Sequence, residues 1–242
     1  MKITFLGTGH GVPRSKRYCT SFMIESGESV YLVDAGAPVT DIFQVSGRPL
    51  DSIRAIFTSH AHCDHTAGIP FLLNRMDWYL YKTNCDVFIT TEELINVIKA
   101  TNAAWGDGEL NPNKFRFHVP TEGVVFEDEN IKAEYIKTMH TDPSYAILIT
   151  EGDKRVLFGG DFSQGLKKND IPQLIKEELD LFLCELGHFS FDELDPHLRE
   201  CKAKRVLFTH VFPDNQLDDI KARNGSYPFP ISAPDDGDVV EI

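Results

Sequence analysis

Apolar residues gather in short runs rich in Val, Ile, Phe and Tyr, and these runs alternate with stretches of helical spacing. "KITFLGTG", "SFMIES" and "SVYLVDAG" read as strands, the last two joined through a tight glycine-containing turn into a hairpin. "IRAIFTS" is the next strand. Behind it Ile69, Leu72, Leu73, Met76 and Leu80 recur at the period of a helix. "DVFIT" is a strand, and Thr90 with Glu93 carries the capping-box signature of a helix over "TEELINVIKA". Residues 102–114 lose all periodicity and predict a loop. From residue 115 strand runs resume in "FRFHV", "GVVFED", "IKAEYIKTMH" and "YAILITEGDKRVLFGGD", with Glu151-Gly152-Asp153 as a hairpin turn. A helix over "DIPQLIKEEL", the strand "DLFLCEL", a helix over "FDELDPHLREC", the strand "RVLFTHV", a helix over "NQLDDIKARN" and a last strand "DVVEI" complete the pattern. Neither a repeat nor a low-complexity linker interrupts it. The pattern predicts a single domain over 1–242, an α/β fold of two sheets, each covered by helices.

Where the apolar runs stop, candidate chemistry begins. "IFTSHAHCDHT" places His60, His62, Asp64 and His65 within six residues, a third of the nine histidines of the chain. Side chains two apart on extended backbone point the same way, so His60 and His62 can grip one metal together. Asp64 and His65 follow as the chain turns toward its helix and point toward a second. Imidazole nitrogen and carboxylate oxygen are donors that zinc favours. Further donors stand at later strand ends: His140 closes "IKAEYIKTMH", Asp161 closes "KRVLFGGD", and His210 closes "RVLFTH".

The set "HAHCDH", His140, Asp161 and His210 resembles the metallo-β-lactamase superfamily, and the resemblance extends through "FLGTGHGVP", "VDAG" and "APDDGDVVEI". It implies a four-layer αββα sandwich of two mixed sheets. It also implies two divalent metal ions, zinc first, with manganese or iron as alternatives. By that resemblance His60, His62 and His140 hold one ion, Asp64, His65 and His210 the other, and Asp161 bridges them. Two ions about 3.5–4 Å apart hold a bridging hydroxide and clamp the group being cleaved. An iron-dependent redox relative carries Glu where this chain has His62, which argues against dioxygen reduction.

The superfamily hydrolyses lactams, thioesters, lactones and phosphodiesters, so the motif alone does not choose. "FLGTGHGVPRSKRYCTSFMI" resembles the opening of the ribonuclease Z and cyclic-phosphodiesterase branch. The interval from His140 to Asp161 is 21 residues, too short for the tRNA-gripping arm that ribonuclease Z carries there. "LCELGHFSFDE" puts His188 just ahead of a helix capped by Ser190 and Glu193, where unpaired N–H groups attract phosphate. A histidine there can contact a phosphoryl oxygen or protonate a leaving alkoxide. Asp64 and His188 are therefore the candidate catalytic residues. Glu185 reads either as the residue that orients His188 or as a plain strand-end carboxylate. The cysteine-rich second zinc site of the phosphonate-pathway cyclic phosphodiesterase has no counterpart, since Cys19 stands alone and "VFPD" follows His210.

Charge narrows the partners. A net charge of −13 disfavours extended nucleic acid, whose binding rests on phosphate neutralisation, but leaves room for a small anionic substrate. No apolar run approaches the roughly 18–20 residues of a membrane span. Five scattered cysteines without a CxxC read as reduced thiols. With no signal-peptide pattern at the start, a cytoplasmic location is expected. Trp105 in the 102–114 loop is placed to cap a substrate or to meet a second copy in a homodimer. Cys63 reads as a small buried filler or a soft extra metal donor, His10 as a solvated turn residue or one that faces the site, and His118 and His197 as structural or surface residues. Arg14, Lys16 and Arg17 read as a solvated basic run or as contacts to a phosphate group. A carboxyl-ester, thioester or lactone hydrolase, an RNA-processing nuclease and a non-catalytic metal sensor are the competing functions.

Overall fold

The computed structural model describes residues 1–12, 17–80 and 82–242, so Arg14 and Lys16 lie outside the described residues. In chain order the first sheet takes β1 (Lys2–Gly7), β2 (Ser21–Ser26), β3 (Ser29–Ala35), β4 (Ile53–Phe57), β5 (Cys85–Phe88) and β6 (Phe115–His118). The second takes β7 (Gly123–Glu127), β8 (Lys132–Lys137), β9 (Tyr145–Glu151), β10 (Lys154–Phe158), β11 (Leu181–Glu185), β12 (Val206–Thr209) and β13 (Ile231–Ser232). β14 (Val239–Glu241) returns to the first sheet beside β1. The spatial orders are β14-β1-β2-β3-β4-β5-β6 and β13-β12-β11-β10-β9-β8-β7. Each sheet is a run of antiparallel hairpins followed by parallel strands: β3, β4, β5 and β6 in one, β10, β11, β12 and β13 in the other.

The unbroken apolar runs have a simple cause: both faces of each sheet are covered. Along β9, Tyr145, Ile147 and Ile149 enter the core between the sheets, while Ala146 and Leu148 face the outer layer. Along β10, Val156 and Phe158 point inward and Leu157 outward. The outer layer of the second sheet is built by α5 (Phe191–Glu200) and α6 (Gln216–Arg223) through Phe191, Leu194, Leu198 and Ile220. That of the first is built by α1 (Val39–Val45), α3 (Ile69–Tyr79) and α4 (Glu92–Asn102). The architecture is an αββα sandwich of two mixed sheets.

Three local expectations are corrected. The helix over 170–179 is only a short 3-10 turn at Gln173–Lys176. Pro172 and Glu177 are extended on either side of it, and the Asp170 carboxylate is drawn away to Met139 and Ser163. The apolar spacing of Ile171, Ile175 and Leu179 is real, but it buries a turn rather than a helix. The cap of α4 is Thr91, whose hydroxyl accepts from Leu94 N–H at 3.2 Å, one residue past Thr90. The first part of the 102–114 loop continues α4 as a π-helical turn over Ala103–Asp107, and Trp105 there packs edge-on against Phe71. The capping box of Ser190 and Glu193 is present in both directions.

What the topology does for function is collect strand ends. β8 runs in the same sense as β10, since β9 reverses between them. The chain therefore leaves β8, β10, β11 and β12 at one edge of the second sheet, and β3 and β4 deliver their ends to the same place.

Candidate metal centre

After β4 the chain bends through Ser59, His60 and Ala61 to His62, which is extended and stands at the N-cap of the single turn α2 (Cys63–Thr66). That turn carries Asp64 and His65 round to the other side of the cluster. His140, Asp161, His188 and His210 follow β8, β10, β11 and β12. All seven expected ligand residues and His188 come together.

Asp161 is the focus. Its Oδ2 lies 3.7 Å from His60 Nε2, 3.5 Å from His65 Nε2, 3.7 Å from His140 Nε2, 3.7 Å from His188 Nδ1 and 3.6 Å from His210 Nε2. On one side His140 Nε2 and His62 Nδ1 are 3.1 Å apart; on the other His210 Nε2 and Asp64 Oδ2 are 3.2 Å apart. Donors at about 2.1 Å from one tetrahedral ion stand roughly 3.4 Å from each other, so this spacing suits a shared ion. His60, His62, His140 and Asp161 form one such group, and Asp64, His65 and His210 another, with donor atoms within 4.8 Å of one another in each.

Burial and orphaned atoms support a metal fit. His60, His65, Asp161 and His210 are at most 2% exposed. His60 Nε2, His65 Nε2 and Asp161 Oδ1 have no hydrogen-bond partner among the described residues. Buried polar atoms are nearly always satisfied, and an ion is a standard reason for a cluster of exceptions. Divalent metal binding follows from this donor set. A further group adds Glu185 to Asp161, His188 and His210. The Glu185 carboxylate is already spent: Oε1 accepts from Phe162 N–H at 2.9 Å and faces His188 Nδ1 at 3.0 Å, while Oε2 accepts from Gly187 and His188 N–H at 2.8 and 3.0 Å. Glu185 is scaffold for His188, which resolves its two readings.

The outer nitrogens of the ligands are held as well. His60 Nδ1 meets Ser59 Oγ at 3.0 Å, His140 Nδ1 meets the Phe162 carbonyl at 3.0 Å, and His65 Nδ1 meets Asp34 Oδ2 at 2.8 Å. Such partners fix ring orientation and aim Nε2 inward. Asp34 also accepts from Ser59 N–H and Oγ at 2.7 and 2.9 Å. Sequence reasoning gave it no role. Its one signal was a carboxylate ending the apolar run of "VDAG". Asp34 and His210 both take left-handed backbone, φ 54° and 55°, a conformation costly for such residues and common where a site is held in place.

The electrostatics follow from this crowding. Burial pushes the His60 imidazole well below the usual histidine range, with His65 adding to the effect and Asp161 opposing it. Burial acts the same way on His65, but Asp161 and Asp34 outweigh it and hold its imidazolium well above that range. For Asp161 burial favours the neutral acid, yet His210 and His65 overcome it and keep the carboxyl well below the ordinary value. The potential that favours a proton between Asp34 and Asp161 favours a metal cation as well. Burial lowers His188, and the hydrogen bond and charge of Glu185 more than reverse that, leaving it raised.

Four side readings are revised or kept. Cys63 is exposed, not buried filler, because α2 turns His65 and Thr66 inward and leaves Cys63 outside. His10 is not a solvated turn residue: its ring stacks on Phe212 at 4.8 Å and lies 4.5 Å from His210, and burial, then His210 and His188, lowers its pKa to about 4. Arg17 is not solvated either. It donates to Thr8 Oγ1, the Pro234 carbonyl and Asp235, tying the start of the chain to residues 234–236. His118 is structural, 2.7 Å from Asp86 Oδ1 and stacked on Phe88.

Comparison with known proteins gives the family and the fold. The family model described as "Anti-Pycsar protein Apyc1" matches residues 1–229. Ribonuclease Z of Shouchella clausii is 33% identical over 161 residues, 64% of this chain and 49% of that protein. The chain thus spans about half the length of that relative. Human tRNase Z, short form, superposes with a TM-score of 0.77 at 21% identity, covering 100% of this chain and 99% of the other. A diphosphatase from the PhnP family superposes with a TM-score of 0.73 at 19% identity, covering 100% and 97%.

Proposed function

Since the chain belongs to the Anti-Pycsar protein Apyc1 family, in the ribonuclease Z-like branch of the metallo-β-lactamase superfamily, we propose that this metal-dependent hydrolase is a dinuclear phosphodiesterase acting on small phosphodiesters, cyclic ones included. The observation that carries the reading is the position of Asp161 Oδ2, 3.5 to 3.7 Å from ring nitrogens of both donor groups, His60 and His140 of one and His65 and His210 of the other. His60, His62 and His140 would hold one ion, Asp64, His65 and His210 the other, and Asp161 both; the donor chemistry favours zinc. When bound, the pair supplies Lewis acidity toward a phosphoryl oxygen and an ionised water at neutral pH.

The chain's own residues do the rest. Asp64, on the partly open side and steered by His210 Nε2 at 3.2 Å, receives the proton that the water gives up as it ionises. His188 is held at Nδ1 by Glu185, which leaves Nε2 to donate to the departing alkoxide. The net charge of −13 and the 21-residue interval after His140 favour a small substrate over an RNA gripped along its backbone. RNA cleavage is the second reading, favoured by the ribonuclease Z match. A steep salt dependence of pre-tRNA binding would support it.

Hydrolysis of bis(p-nitrophenyl) phosphate tests the first reading. Turnover should vanish on chelation and return with zinc or manganese. No turnover from the fully metallated protein would shift the assignment to thioesters or lactones. On an alkyl phosphodiester, whose alkoxide must be protonated to leave, His188→Ala should lower turnover about a hundredfold or more while the bound metal stays constant, as removal of a general acid does. Parallel loss of metal would make His188 a structural residue instead.

A further inference from the structure

The segment after Asp161 folds into a small closed ring. Leu166 and Asn169 take left-handed backbone, φ 50° and 49°, beside Gly165 at 63°. Two non-glycine residues in that region so close together persist only where their surroundings over-determine them. The closure comes from Asp170, which is 6% exposed and belongs to neither donor group. Its Oδ2 accepts from Ser163 N–H and from Met139 N–H, each at 2.9 Å, and its Oδ1 accepts from the Ser163 hydroxyl at 2.6 Å. Ser163 Oγ in turn accepts from Lys168 N–H at 3.2 Å.

This ring touches three loops of the centre. Met139 precedes His140, and Lys168 Nζ donates to the Met139 carbonyl at 2.8 Å, so that residue is held at both its polar groups. Ser163 lies two residues past Asp161, and the intervening Phe162 carbonyl meets His140 Nδ1. Gly165 N–H donates to the His188 carbonyl at 2.8 Å.

We propose that Asp170 is a positioning residue of the metal centre, setting the register of His140 against Asp161 and, through Gly165, the seat of His188. The inference rests on the metal-centre reading above. Its chemistry is specific to a carboxylate. Three donors converge on it, and an amide in its place would turn N–H groups toward at least one of them. Partners of this kind typically change metal affinity 10- to 100-fold when removed.

Asp170→Ala and Asp170→Asn would be compared with wild type by zinc competition against a chromogenic chelator and by the visible spectrum of the cobalt-substituted proteins. Asp170→Ala should bind zinc 10- to 100-fold more weakly and show altered cobalt bands, with Asp170→Asn between it and wild type. If Asp170→Ala fails to fold, Asp170→Asn carries the comparison. Wild-type affinity together with a wild-type cobalt spectrum in the folded variants overturns the proposal, whatever their melting temperatures. A wild-type protein that binds neither ion would instead overturn the metal-centre reading, and this inference with it.

Discussion

Asp161→Ala should lose at least one ion per chain and lower phosphodiester turnover by a thousandfold or more, about 4 kcal/mol of transition-state stabilisation. The size follows from geometry. No other carboxylate oxygen stands within 3.7 Å of His60, His65, His140, His188 and His210 together among the described residues. Removing it unlinks the two donor groups and exposes like charges to each other. The chelated variant should nevertheless fold. Asp161 Oδ1 makes no hydrogen bond that would be lost. Metal analysis, steady-state kinetics and calorimetry of the chelated protein check the three parts separately. A variant that keeps two ions and turns over within tenfold of wild type would remove Asp161 from the centre of the mechanism.

Why the ligands were legible and their supports were not has a physical cause. Strands buried on both faces read as continuous apolar runs, so "KRVLFGGD" and "RVLFTH" announce their own ends, and a ligand-type residue at each end stands out. His60, His62, Asp64 and His65 sit in one stretch, where spacing alone carries information. Asp34 does not: it becomes a site residue only because β3 and β4 pair in parallel and return Ser59 and His65 to it, 25 and 31 residues on. Asp170 was misleading in a stronger sense. Its neighbours carry a helix-like apolar spacing, and the competing claim on its carboxylate comes from Met139, 31 residues earlier. Arg17 shows the same limit, since its partners at Pro234 and Asp235 lie more than 200 residues away. Tertiary partners overrode local pattern at each of these positions, and each of the first two supports the centre from behind.

Gly36→Ala should couple those two levels, costing both stability and metal binding. A Cβ at Gly36 would stand 2.2 Å from the Asp64 carbonyl oxygen and 2.5 Å from Cys19 Cβ. The first neighbour is backbone of the ligand turn itself and cannot swing aside. Gly36 is also fixed in place, its N–H donating to the Thr20 carbonyl at 3.1 Å and its carbonyl accepting from Val39 N–H at 3.0 Å. Overpacking of this kind costs about 3 kcal/mol. For a chain of this size that corresponds to a fall of roughly 6–12 °C in Tm. Whatever relief occurs must move Asp64 and His65, so zinc affinity should fall with it. Gly47→Ala is the matched control: φ is +76°, but nothing lies within 4 Å of the new Cβ. It should cost only about 1–2 kcal/mol of backbone strain and leave zinc affinity unchanged. Equal zinc affinity in Gly36→Ala, at a melting temperature near wild type, would mean that α2 is not seated against the end of β3 as described.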